Sequence, residues 1–287
     1  MIALGLPVLA ATLAALVTLG LYRRARPAVA ALALTTVAAA AATASIALLA
    51  SLSLLLLFHP HGVAWCERAL GLGGHRALLP GLVAGATAVC IVGCAVRSTL
   101  RRRSAIAADR EAHFPGGVRV LATREFIAYA QPGRPGHVVV SQGMLDALAP
   151  EEQLVVIAHE RSHLRHHHHR YVAVVETCAA GIAPLRSLAA AVRFACERWA
   201  DEDAARVVGE RRLVARTVAV AALASADRPP LSLGGQPRGV PARVRALLAP
   251  PAPIGNTGWF VAMPAMIAFA AALVQMHGLG DVVQLLV

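Results

Sequence analysis

Ala158-His159-Glu160-Arg161-Ser162-His163 is the stretch on which the fold turns. It reads H-E-x-x-H and sits in a helix pattern that the sequence predicts over residues 150–165. Residues four apart share one helix face, so His159 and His163 can offer two imidazole nitrogens to a single ion. Glu160 lies one position round and can take a proton from a water held beside them. Two neutral imidazoles with a nearby carboxylate suit zinc chemistry. The helix start is well marked. Pro150 suits the first position, where its missing N–H costs nothing, and Glu151 and Glu152 fall in the positive first turn. Leu154, Val155, Ile157, Ala158 and Leu164 are expected on the buried side with the two histidines. Such polar groups on an apolar face are costly unless liganded or paired.

The composition places this helix in a membrane protein. The 287 residues are 57% hydrophobic and 15% charged, with a mean hydropathy of +0.61. That is too apolar for an ordinary soluble domain. The net charge is +11, and all 27 basic residues are arginine. Because the arginines cluster beside apolar spans, they point to cytoplasmic flanks, and no direct nucleic-acid partner is expected. The five cysteines, Cys66, Cys90, Cys94, Cys178 and Cys196, form neither a disulfide framework nor a C-x-x-C site, and read as small packing residues.

Four apolar runs are long enough to cross a bilayer: 2–21, 27–58, 79–100 and 258–276. The first lacks the basic lead of a signal peptide. A polar-leaning loop is expected over 59–76. Arg23, Arg24 and Arg26 follow the first run, and Arg101, Arg102 and Arg103 follow the third. Both clusters should be cytoplasmic. The expectation is a multi-pass protein of the cell membrane with its N-terminus outside. Three spans fill 1–100, a cytoplasmic domain fills 101–256, and a fourth span with a short tail fills 257–287. The fold class is mainly α, a polytopic bundle with a small α+β domain inserted between spans three and four. Residues 172–194 are apolar but hold Glu176, Pro184, Arg186 and Arg193. They read as a helix pair or re-entrant element rather than a fifth span.

Within the inserted segment, 104–113 reads as a short exposed helix. Val118-Arg119-Val120, Phe126-Ile127-Ala128-Tyr129 and Val138-Val139-Val140 have strand composition, with a turn over 131–136. The edge of such a sheet can hold an extended substrate by backbone hydrogen bonds, or it can be a plain hairpin. Beyond the H-E-x-x-H helix, helices are expected over 188–208, 213–226 and 241–248. Gly209 stops the first of these, and Pro/Gly-rich loops fill 227–238 and 249–256.

A catalytic zinc takes three protein ligands. His169, ten positions after His159, would need a chain-reversing glycine where His166 stands, so it is set aside. The run His166-His167-His168-His169 reads as an exposed, weakly metal-binding tract. The other candidate is Glu197 in Glu197-Arg198-Trp199-Ala200-Asp201-Glu202-Asp203-Ala204. Asp201 lies four positions on and can accept a hydrogen bond from the second nitrogen of a ligating histidine. The expected set is His159, His163 and Glu197 on one Zn2+ per chain, Glu160 as catalytic base, and Asp201 behind a ligand. Arg206, Arg243 and Arg245 could meet substrate carbonyls or phosphates, but the favoured reading of each is cytoplasmic surface charge.

H-E-x-x-H followed by E-x-x-x-D-x-x-A resembles the gluzincins of the HtpX and CAAX-prenyl protease type. The order of spans resembles more closely the BlaR/MecR-type membrane metallopeptidases. That resemblance implies a gluzincin-like zinc domain, cleavage of itself or of a protein substrate, and inactivation of a cytoplasmic transcriptional repressor. The chain departs from those sensors in ending at Val287, before any penicillin-binding domain with S-x-x-K chemistry, so β-lactam sensing is not carried over. The function expected is an integral-membrane zinc endopeptidase acting in signal transduction, with the bilayer and a protein or peptide as partners. The rivals are an HtpX-like quality-control protease, a non-catalytic zinc-containing regulator, and a metal sensor or transporter that uses the histidine tract.

Overall fold

The computed structural model describes residues 2–71, 74–107, 117–133, 135–225, 239–250 and 257–286. Four helices dominate it: α1 (Ile2–Leu21), α2 (Pro27–Phe58), α4 (Leu79–Ala107) and α11 (Thr257–Leu286). Their segments Gly5–Arg24, Pro27–Phe58, Arg76–Arg101 and Trp259–Gln284 are long and apolar enough to cross a membrane. They fit a multi-pass membrane protein. α2 is the central helix, packed by α1, α4 and α11. It buries Ala30, Ala31, Leu34, Val37 and Ala38. Its alanines let neighbouring backbones approach closely, which in lipid replaces the missing hydrophobic drive between helices. Large side chains point outward instead, among them Leu13 and Leu16 of α1, Val83 and Val89 of α4, and Met266 and Phe269 of α11.

Several boundaries differ from the sequence reading. The expected loop over 59–76 holds a helix, α3 (Pro60–Leu70), and a short 3-10 turn, Gly74–Leu78. Pro60 starts the helix, and fully buried Cys66 packs with Leu56 and Ala77. α4 runs on to Ala107, so the start of the expected 104–113 helix continues that span, and 108–113 lies outside the described residues. α11 extends ten residues past 276, because Gln275, His277 and Asp281 are too widely spaced to break a helix. The 227–238 loop and most of the 249–256 linker also lie outside the described residues.

The remaining residues build a small domain. β1 (Val118–Leu121), β2 (Ala128–Gln131) and β3 (His137–Ser141) form one sheet in the order β1-β3-β2. β3 is the centre, parallel to β1 and antiparallel to β2, with Val139 opposite both Arg119 and Tyr129. Its Val138, Val139 and Val140 are buried, as a central strand requires. Ser141 ends β3 and caps α5 (Gln142–Ala147) by accepting from the Met144 N–H at 3.1 Å. α6 (Pro150–Arg165) follows and packs along β2 and β3. Then come α7 (His168–Gly181), α8 (Arg186–Val208), α9 (Arg211–Ser225) and α10 (Val240–Leu248). Gly209, with φ at +76°, ends α8 in the left-handed conformation that suits glycine.

The 172–194 stretch is a helix pair that docks on the long helices. Val175, Ala179, Leu188, Val192 and Ala195 join one continuous core with α2 and α11. Near the end of α7, Gly181 touches the middle of α4: a Cβ there would lie 2.9 Å from the Ile91 Cα. Further along α8, Phe194 meets Tyr22 edge to face at 6.1 Å, and the Arg23 guanidinium lies 5.1 Å from the Phe194 ring. Gly181→Ala is therefore expected to lower the unfolding midpoint in detergent micelles, at a cost of about 1–3 kcal/mol for overpacking. Gly93→Ala, on the same helix as Ile91 with nothing within 4 Å of its added carbon, serves as the control. A Gly181→Ala midpoint at or above wild type would show that this contact is slack.

Candidate metal centre

α6 is anchored before it presents any chemistry. Glu152, nearly buried, accepts from the Ala149 N–H at 3.1 Å and pairs with Arg216 at 3.0 Å. Two turns on, His159 and His163 face one another with their Nε2 atoms 3.2 Å apart. α8 crosses opposite and supplies Glu197. One Glu197 oxygen lies 3.5 Å from His159 Nε2, and the other lies 3.5 Å from His163 Nε2. Among the described residues, these three form the group of donors able to hold an ion, all within 4.8 Å of one another. Their chemistry fits zinc. Two imidazole nitrogens and a carboxylate oxygen are among zinc's usual donors, and donors about 2.0–2.1 Å from a tetrahedral zinc stand about 3.3–3.4 Å apart, close to the 3.2 Å between the two Nε2 atoms, with a Glu197 oxygen 3.5 Å from each ring. On the far side of His159, Nδ1 lies 3.1 Å from Asp201 Oδ1. A proton on Nδ1 there leaves the Nε2 lone pair facing the other two donors.

A second set of bonds keeps α6 and α8 in register. Asp203, buried on α8, accepts from the Ser162 hydroxyl at 2.7 Å and contacts His166 Nε2 at 2.7 Å. Arg206 pairs with its other oxygen. The His166 ring stacks on Trp199, with centroids 4.4 Å apart. The expected face of α6 is only partly right: Val155 is buried, but Leu154 is 60% exposed. α8 covers the neighbouring stripe instead.

The histidine run is divided, not a uniform exposed tract. His166 is tied to Asp203, and His167 and His169 are exposed. His168 is 1% exposed. His167 takes φ +53°, a left-handed turn that ends α6 and starts α7 in a new direction. His169 is not among the clustered donors.

Arg243 is the residue the sequence reading misplaced. It is not surface charge. From α10 it reaches into the site, with Nε and Nη2 on the two Asp201 oxygens at 2.8 and 2.7 Å. Its Nη1 lies 2.9 Å from Glu197. A signal was available, since Arg243 stands four residues before Leu247, which is buried, and so shares the inward face of α10. Arg245 is exposed, as expected, and Arg206 is exposed beyond its link to Asp203.

These contacts set the charges. Burial works against ionised Glu197 and Asp201, but the Arg243 guanidinium, and then the histidines, hold both carboxyls below the usual range. Burial also works against a charged His159, yet Asp201 and Glu197 overcome it and lift the ring to about 10. His163 is lowered, chiefly by burial, and burial pushes His168 down to about 2. Glu160 lies close enough for its charge to favour protonated His163 and charged Arg243.

Residues 96–228 match the family model for Peptidase family M48. The match supports an M48 metallopeptidase, and it spans the sheet, α6 and α8 while stopping short of Arg243. No curated protein and no solved structure matches the chain.

Two outcomes follow for the metal-free protein. An ion must displace the proton that His159 keeps up to about pH 10. Zinc affinity should then rise about tenfold per pH unit from neutrality toward that value, as one displaced proton requires. Chelator competition across pH measures this slope, and a flat profile between pH 7 and 9 would contradict it. Arg243→Ala should cost about 3–5 kcal/mol of unfolding free energy without metal, because two buried carboxylates are left to share the one positive charge of His159. An unchanged unfolding midpoint would show that solvent screens them.

Proposed function

We propose that this chain is an integral-membrane zinc endopeptidase whose site faces the cytoplasm. The observation that carries the reading is the convergence of His159, His163 and Glu197 from two helices, with Glu160 beside them, inside the segment matched to Peptidase family M48. His159, His163 and Glu197 would hold the zinc ion, which would supply Lewis acidity there when bound. Glu160 takes the proton of the attacking water and delivers it to the leaving amine. Asp201 holds His159 in the tautomer that presents Nε2, and Arg243 keeps Asp201 and Glu197 ionised. β2 is an edge strand beside α6, placed to align an extended peptide by backbone pairing.

The cytoplasmic assignment rests on the arginine clusters after the first and third spans. The substrate we assign is a polypeptide held close to the membrane. Phe194, three residues before Glu197, already packs on Tyr22 in the arginine-bearing turn that follows α1. Three helical residues rise only about 4.5 Å. A signalling role, with cleavage of the chain itself or of a cytoplasmic repressor, follows from the BlaR/MecR-like order of spans. Quality control of membrane proteins is the second reading, favoured by the same closeness to the bilayer.

The test uses purified chain in liposomes with a reporter peptide tethered to the membrane by one helix. Wild type should cut it close to the bilayer, and a chelator should stop the reaction. Glu160→Gln should keep one zinc per chain and lose at least about 100-fold in rate, the scale of a general base. A variant that cleaves at the wild-type rate rules out the mechanism. Zinc bound by both proteins with no cleavage by either would leave the non-catalytic regulator.

A further inference from the structure

His159 and His163 are backed differently. Behind His159 stands a carboxylate, Asp201, 3.1 Å from Nδ1. What faces Nδ1 of His163 is another imidazole: His168 Nδ1, 2.9 Å away. Two ring nitrogens at that distance share one proton, with one donating and the other accepting. If His163 offers its Nε2 lone pair toward His159 and Glu197, its own proton sits on Nδ1. His168 Nδ1 is then the acceptor, and His168 carries its proton on Nε2. That Nε2 is the atom of His168 left buried without a hydrogen-bond partner.

The placement of His168 is specific. The ring is 1% exposed. It is held edge-on to His163 at 4.7 Å between centroids and tilted against Trp199 at 5.0 Å. It reaches this position only because His167 adopts a left-handed backbone, φ +53°, in the turn between α6 and α7. A non-glycine residue there is uncommon and mildly strained. An unpaired buried N–H is a further cost. A side chain present only to fill space would need neither.

We propose that His168 is the positioning residue of His163. It accepts the Nδ1–H, fixes the tautomer and directs Nε2 to the donor cluster, as Asp201 does for His159, but through a neutral acceptor. The proposal rests on the metal-binding reading of the site.

The experiment uses the full chain in detergent and three readouts: zinc affinity by chelator competition, the visible absorption of the cobalt-loaded protein, and the unfolding midpoint. His168→Phe keeps the ring and removes the acceptor. It should weaken zinc binding about 10–100-fold and alter the cobalt spectrum, the usual effect of losing a partner behind a ligand. His168→Asn puts an amide oxygen near the former Nδ1, with an amide NH2 in the pocket in place of the orphan N–H. It should stay within about threefold of wild type in affinity and keep the spectrum, even where the unfolding midpoint falls. The proposal is overturned if the Phe variant binds like wild type, or if the Asn variant loses as much as the Phe variant. Should the Phe variant not fold, the Asn variant decides alone by keeping or losing affinity. A wild-type chain that takes up no metal, and behaves like His159→Ala, overturns the reading of the site itself. Tight binding unchanged in both His168 variants overturns only the role given to His168.

Discussion

Glu197 and Asp201 lie one turn apart on α8 where water reaches poorly, and a single guanidinium from α10 keeps both ionised. Much of the site depends on that interaction. Without it, burial would favour the protonated acids. A protonated Glu197 is a poor partner for two imidazoles, and a protonated Asp201 would no longer fix the His159 tautomer. Arginine suits the task because its fork meets both Asp201 oxygens while a third nitrogen reaches Glu197, and because it stays charged at any relevant pH. The α10 helix, a short element after a long stretch of chain, is thus part of the centre and not a peripheral tail.

The second dependence is mechanical. α8 belongs to two neighbourhoods at once. Its first half is packed among α2, α7 and α1, and its second half carries the carboxylates. The site is therefore fixed to the span bundle by a continuous helix rather than by a linker. Any shift of α8 against α2 would be transmitted to Glu197 through a rigid element.

Much of this was legible in the chain itself. α6 could be read because Pro150, two glutamates and a four-residue histidine spacing agree on one helix and one face. The spans could be read because apolar runs of bilayer length have few other uses. The Glu197 and Asp201 pair followed from the same four-residue logic on α8. What stayed hidden depends on tertiary contact. The partner of Arg243 is about forty positions away and leaves only a faint trace, the buried Leu247 one turn on. The histidine run looked uniform because nothing in four identical residues shows that one adopts a left-handed backbone and sends the next inside. The helix α3 was masked by its polar composition, and Leu154 by a neighbouring helix that covers a slightly different stripe. That β3 is the middle strand could not be read from strand composition alone.

Asp203 spends nearly all of its acceptor capacity on donors from both sides, Ser162 and His166 on α6 and Arg206 on its own helix. Sliding α6 past α8 by one turn would take Ser162 and His166 away from one oxygen of a buried carboxylate and leave it without a partner. The two helices thus have one acceptable alignment, and it is secured by protein bonds alone. The loss of freedom that a metal cradle ordinarily demands of its ligands is met when the chain folds, so an arriving ion has little left to organise.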